Sequence, residues 1–167
     1  MTKTKCGGLL EYVNMSSKVT QPYGSYHQWL KKNGKCFTLK RGHKYSKRIK
    51  DKLESVEAHP SGCYGNSIRA TVHDYDKELQ YYEGYYISEG VPIPLEHAWT
   101  VDRNTGKVVD ATIIGVWDKK KEHKNYGEVN YFGVPIPNEY VMAQSLKDSC
   151  YTARLGQYWK EKVHQAE

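Results

Sequence analysis

The chain has 167 residues, enough for one domain with a sizeable core, and its 38% apolar content includes 15 Tyr against 2 Phe. No apolar run approaches the roughly 20 residues of a membrane-spanning helix. The N-terminus, Met1-Thr2-Lys3-Thr4-Lys5-Cys6, lacks the apolar stretch of a secretory signal, so a soluble, cytoplasmic protein with no membrane role is expected.

The net charge of +6 is unevenly divided. Residues 1–50 hold 12 Lys/Arg against one acid, Glu11, for +11, whereas residues 51–167 hold 13 Lys/Arg against 18 Asp/Glu, for −5. A basic segment of this kind is either a solvated face or a surface that draws nucleic acid, an anionic ligand or an acidic partner.

Residues 1–43 read as a basic, irregular N-terminal segment, broken by Gly24, Gly34 and Gly42, with a short helix near Tyr26–Lys32. Residues 44–57 read as a helix, because Tyr45, Ile49, Leu53 and Val56 recur at helical spacing and Pro60 stops the run. Ser61 is placed to cap a second helix from about Gly62 to Val72. Three strands are expected next, at Gln80–Ser88, Leu95–Asp102 and Lys107–Ile114, with Asp102-Arg103-Asn104-Thr105-Gly106 as the turn of a hairpin. A charged loop at 119–124 leads to a fourth strand at Val129–Val134. Asn138 then caps a helical C-terminal segment, 138–167, with a break near Ser149. The expected architecture is a single α+β domain with residues 44–137 as its core.

The cysteines, Cys6, Cys36, Cys63 and Cys150, form no C-x-x-C pair, so neither a zinc ribbon nor disulfides are expected. The seven histidines show no H-x-x-x-H spacing. Phosphate-binding and dinucleotide-binding glycine motifs are missing as well, and no metal or cofactor is expected.

Three residues stand in the order of a nucleophile, a base and an orienting acid: Cys63 in Ser-Gly-Cys-Tyr-Gly-Asn-Ser, His97 in Glu-His-Ala-Trp, and Asp110 in Val-Val-Asp-Ala-Thr. A thiol is a strong nucleophile when an imidazole takes its proton and a carboxylate fixes the imidazole. Cys63 falls at the expected helix start, where partial positive charge favours thiolate and free N–H groups face an oxyanion. His97 and Asp110 fall almost across from each other on the expected hairpin.

These residues resemble the core of the transglutaminase-like superfamily, within the wider papain-like cysteine enzymes. The similarity covers roughly residues 61–112 and includes Glu83-Gly84-Tyr85. It implies a helix carrying Cys63 packed on an antiparallel sheet, with His97 as general base and acid and Asp110 as its orienter. Ala111 stands where the family commonly has Pro. Cys-Tyr-x-Asn-Ser, Tyr-Glu-Gly-Tyr and Tyr131-Phe132-Gly133 also resemble small uncharacterised bacterial and phage proteins.

Four further residues are candidates for substrate binding or support: Asn66, Glu83, Tyr85 and Trp99. Glu83 lies between tyrosine pairs, as a substrate-orienting group, a second acid, or an exposed strand residue. Tyr81, Tyr82, Tyr85 and Tyr86 form a stacking platform or fill both faces of a sheet. Trp99 shares a face with His97 and is placed to shield it. The expected function is a cysteine-dependent acyl-transfer enzyme, a hydrolase of an amide, peptide or isopeptide bond in a protein or small molecule. The alternative is a non-catalytic basic binding or inhibitory protein on the same fold, engaging nucleic acid, an anionic ligand or an acidic partner through residues 1–50.

Overall fold

A computed structural model of the chain describes residues 6–19, 23–72, 74, 77–88, 91–119 and 127–165. Among them, seven helices and five strands alternate in a mixed α+β order. The helices are α1 (Gly7–Ser16), α2 (Tyr23–Asn33), α3 (Lys47–Ser55), α4 (Cys63–Val72), α5 (Ala111–Lys119), α6 (Asn138–Asp148) and α7 (Leu155–His164). The strands are β1 (Lys35–Lys40), β2 (Leu79–Ser88), β3 (Val91–Asp102), β4 (Val108–Val109) and β5 (Glu128–Pro135). They make one antiparallel sheet in the order β1-β5-β2-β3-β4. No helix among the described residues is long and apolar enough to cross a membrane.

Alternation along the strands sorts the tyrosines onto two faces. Tyr81, Tyr85, Ala98, Phe132 and Val134 pack with Leu9 and Val13 of α1, Leu30 of α2, Ile68 of α4 and Val141 of α6. Tyr82, Trp99, Val101 and Tyr131 build the opposite face, against Tyr45 and with Ile113 and Ile114 of α5. The four tyrosines of β2 therefore fill the sheet on both sides, and no stacking platform forms. A third cluster joins Ile49 of α3 and Val56 at its C-terminal cap to Ala70 of α4, Val109 and Ala111.

Several sequence expectations hold. The stripe of α3 is buried at Ile49 and Val56, and Ser46 caps the helix by accepting a hydrogen bond from the Ile49 N–H. The turn after β3 closes as a hairpin: Asp102 accepts from the Asn104 N–H and the Thr105 hydroxyl, and Gly106 takes a positive φ of 69°. Ser149 breaks the C-terminal helical segment in a left-handed conformation.

Others fail for identifiable reasons. Residues 1–43 are not irregular: α1, α2 and β1 order most of them, because Leu9, Val13 and Leu30 bury against the sheet. Lys107–Ile114 is not a strand. Only Val108–Val109 pair with β3, and the chain turns into α5 at Ala111, so packing overrides the strand propensity of Thr112, Ile113 and Ile114. Asn138 does not cap α6, which starts after Pro137; its amide joins the Tyr81 N–H and the Leu79 carbonyl of β2 instead. The loop expected over 119–124 lies outside the described residues beyond Lys119.

A candidate cysteine–histidine–aspartate site

Helix α4 opens on Cys63 itself, one residue later than expected. The residue before it is therefore Gly62, not Ser61, and the Gly62 carbonyl accepts the Asn66 N–H at 2.8 Å. Cys63 is partly exposed. The first residues of any α-helix keep N–H groups without intrahelical partners, so the thiol sits where donors and partial positive charge converge.

His97 lies on β3, buried, on the face it shares with Trp99. Pairing with β4 is limited to Thr100 and Val101, so among the described residues His97 stands beyond the end of that ladder. There the chain leaves the sheet at Asp110. Extending the register would set Asp110 opposite Trp99 and diagonal to His97, on the same face. His97 Nε2 meets Asp110 Oδ2 at 2.7 Å, which leaves Nδ1 as the ring nitrogen free to serve the thiol.

Asp110 is fully buried, with both oxygens engaged. Oδ2 also accepts from the Tyr131 hydroxyl at 2.9 Å, and Oδ1 accepts from the N–H groups of Thr112 and Ile113 at 3.0 and 3.1 Å. Asp110 is therefore the N-cap of α5 as well as the partner of His97. Position 111 is the first residue of α5, where either Ala or Pro is accepted.

Burial alone would lower the pKa of His97, but the Asp110 carboxylate and its hydrogen bond oppose this, aided by a side-chain hydrogen bond and charge interaction with Cys63. The outcome is an imidazole raised to about 9. The Cys63 sulfur thus lies near enough to the ring to act on its charge.

The supporting candidates separate. Asn66 is completely buried and uses every polar atom inside the protein. Its Oδ1 accepts from the His59 N–H and from Arg69, and its Nδ2 donates to the His59 carbonyl and to Thr112 Oγ1. Through Thr112 it links the helix of the nucleophile to the helix capped by Asp110. Tyr85 points to the face opposite His97, where it meets His27 Nε2 at 3.0 Å, so it is a core residue. Trp99 does not cover His97: it stacks on Tyr82 and packs on Tyr131, while Tyr86 and Tyr131 lie against the imidazole at 4.5 and 6.1 Å.

Glu83 is not an exposed strand residue but is 2% exposed. Its carboxylate accepts from the Tyr81 hydroxyl at 2.6 Å and from the N–H groups of Arg154 and Leu155, fastening the start of α7 to β2. Burial raises its pKa to about 7, against the lowering effect of these donors.

Sequence reasoning missed Tyr131, Tyr86 and Thr112 as parts of the site. The Tyr-Phe-Gly and Asp-x-Thr motifs contained two of them, but nothing in the sequence assigns a hydroxyl to a carboxylate 21 residues away.

The described residues thus define an α+β chain with a buried His–Asp pair on an antiparallel sheet and a cysteine at an adjoining helix start. Scans against family models, curated proteins and solved structures found no match for it.

Proposed function

We propose that the protein is a cysteine-dependent acyl-transfer enzyme of papain-like or transglutaminase-like arrangement, hydrolysing an amide bond. The observation that carries this reading is His97, held at Nε2 by a buried carboxylate and raised in pKa by both that carboxylate and Cys63. Cys63 as thiolate attacks the carbonyl carbon, and the N–H groups at the start of α4 face the oxyanion. His97, as imidazolium, gives its proton to the departing amine when the C–N bond breaks. Water then attacks the thioester, His97 takes its proton, and a carboxylic acid and free thiol result.

Alkylation tests the reading, with one refinement. Cys36 is exposed and its pKa is lowered by a hydrogen bond from Cys6, so it competes for reagent. In a Cys36→Ser chain, iodoacetamide at neutral pH should alkylate Cys63 ahead of Cys6 and Cys150, as read by peptide mass spectrometry. His97→Ala should slow it on the order of 10²-fold. Labelling of Cys63 no faster than Cys150 would overturn the proposal. Amide turnover should fall as pH rises through about 9, where His97 loses the proton it donates, while alkylation does not fall.

The binding reading has its own support: Lys40, Lys44, Lys47 and Lys50 are exposed around β1 and α3. Binding of an anionic polymer there should weaken steeply with salt.

A further inference from the structure

A cavity of about 510 Å³ opens against the first turn of α4. Tyr64, the residue after Cys63, forms one wall, and Gly84, directly opposite His97 in the register, lies in its floor beside Glu83. Tyr26 of α2, Glu96 of β3, and Trp159 and Lys160 of α7 also line it. Burial raises the pKa of the Tyr64 phenol, and the neighbouring Glu83, Cys63 and Glu96 push it further in the same direction.

We infer that this cavity selects an acyl substrate bearing an organic cation, an ammonium or guanidinium group near the bond to be cleaved. The inference rests on the acyl-transfer reading of Cys63. Three aromatic rings with two carboxylates supply what such a cation needs: electron-rich faces and opposite charge. Arg154, the cation closest to Glu83, is neutralised by Asp148 at 2.6 Å, so Lys160 is the one positive charge lining the cavity among the described residues. Glu96 balances Lys160, and Glu83, which ionises around neutrality, tips the cavity negative as pH rises through about 7, inside a chain of net charge +6. The long-range field therefore favours anions, and a preference for cations at Cys63 must come from the cavity. The volume suits a group the size of an amino-acid side chain with its flanking amide.

Charge-bearing thiol reagents read this directly. A methanethiosulfonate is attacked by thiolate at its sulfenyl sulfur, forming a mixed disulfide and releasing methanesulfinate. In the full-length Cys36→Ser chain, the trimethylammonioethyl reagent should modify Cys63 about fivefold faster than the sulfonatoethyl reagent, each normalised to 2-mercaptoethanol. Glu96→Gln should lower that ratio and Lys160→Gln should raise it. Nα-acetyl-lysine amide should slow iodoacetamide labelling of Cys63, whereas the neutral norleucine analogue at equal concentration should not. A ratio at or below one, or shifts of the opposite sign, would overturn the inference. Fast labelling by neutral iodoacetamide together with that result sinks only the cation preference. Labelling of Cys63 no faster than Cys150 sinks the acyl-transfer reading itself.

Discussion

Two buried carboxylates, Asp110 and Glu83, are held in nearly the same way. Each accepts a tyrosine hydroxyl, Tyr131 for Asp110 and Tyr81 for Glu83, and each receives two backbone N–H groups at the start of a helix. They differ in the remaining partner. Asp110 meets an imidazole, whereas Glu83 meets only more backbone and is raised to about 7. A carboxylate cradle is thus a general device of this fold for fixing helix starts to the sheet. It holds an imidazole only at Asp110, where β4 ends early enough for His97 to reach it.

The sharpest way to break the comparison is to neutralise each acid in place. Asp110→Asn keeps the shape but no longer stabilises imidazolium, and amide turnover should drop by roughly 10²–10⁴-fold in steady-state assays. Stability against pH separates the two acids next. Both folded-state pKa values are raised, so both contributions are full below the unfolded value and vanish as pH rises. The Glu83 contribution is lost between about 4.5 and about 7, and the His97–Asp110 contribution between about 6.5 and about 9. Each amounts to about 3 kcal/mol at most. Denaturant titrations should show Glu83→Gln flattening only the lower window and Asp110→Asn only the upper. Equal flattening of both by either change would mean that the two sites are one coupled unit.

A smaller effect comes from the hydroxyls. Tyr131→Phe and Tyr81→Phe each remove one hydrogen bond to a buried carboxylate and should cost about 1–3 kcal/mol in unfolding free energy. Under the acyl-transfer proposal, only Tyr131→Phe should also shift the alkaline limb of turnover, because only Asp110 holds a histidine. A shift with Tyr81→Phe instead would reverse the roles assigned to the two acids.

The contrast also marks what a sequence conveys. Asp110 caps a helix that begins at the very next residue, so Asp-Ala-Thr was legible as a unit, although the β-branched run after it suggested a strand. Glu83 caps a helix whose first residues lie 71 and 72 positions away, and no local pattern encodes that distance. Cys63 and His97 were visible through chemistry and neighbours. Tyr131 was not assigned, since its role arises only when β5 inserts between β1 and β2. β1 went unseen because Lys35–Lys40 carries lysine at both ends and gains its place by pairing with β5. The basic N-terminal segment shows the same limit: charge was countable, but the burial of Leu9, Val13 and Leu30 that orders it was not.

Asn66 has a kinetic meaning beyond its hydrogen bonds. Its amide joins the chain before α4, Arg69 within α4, and Thr112 in α5. Cys63 and Asp110 therefore keep a fixed separation in the free protein, and under the acyl-transfer proposal an arriving substrate need not assemble them. The ordering entropy is settled during folding, so each encounter meets a site already in register.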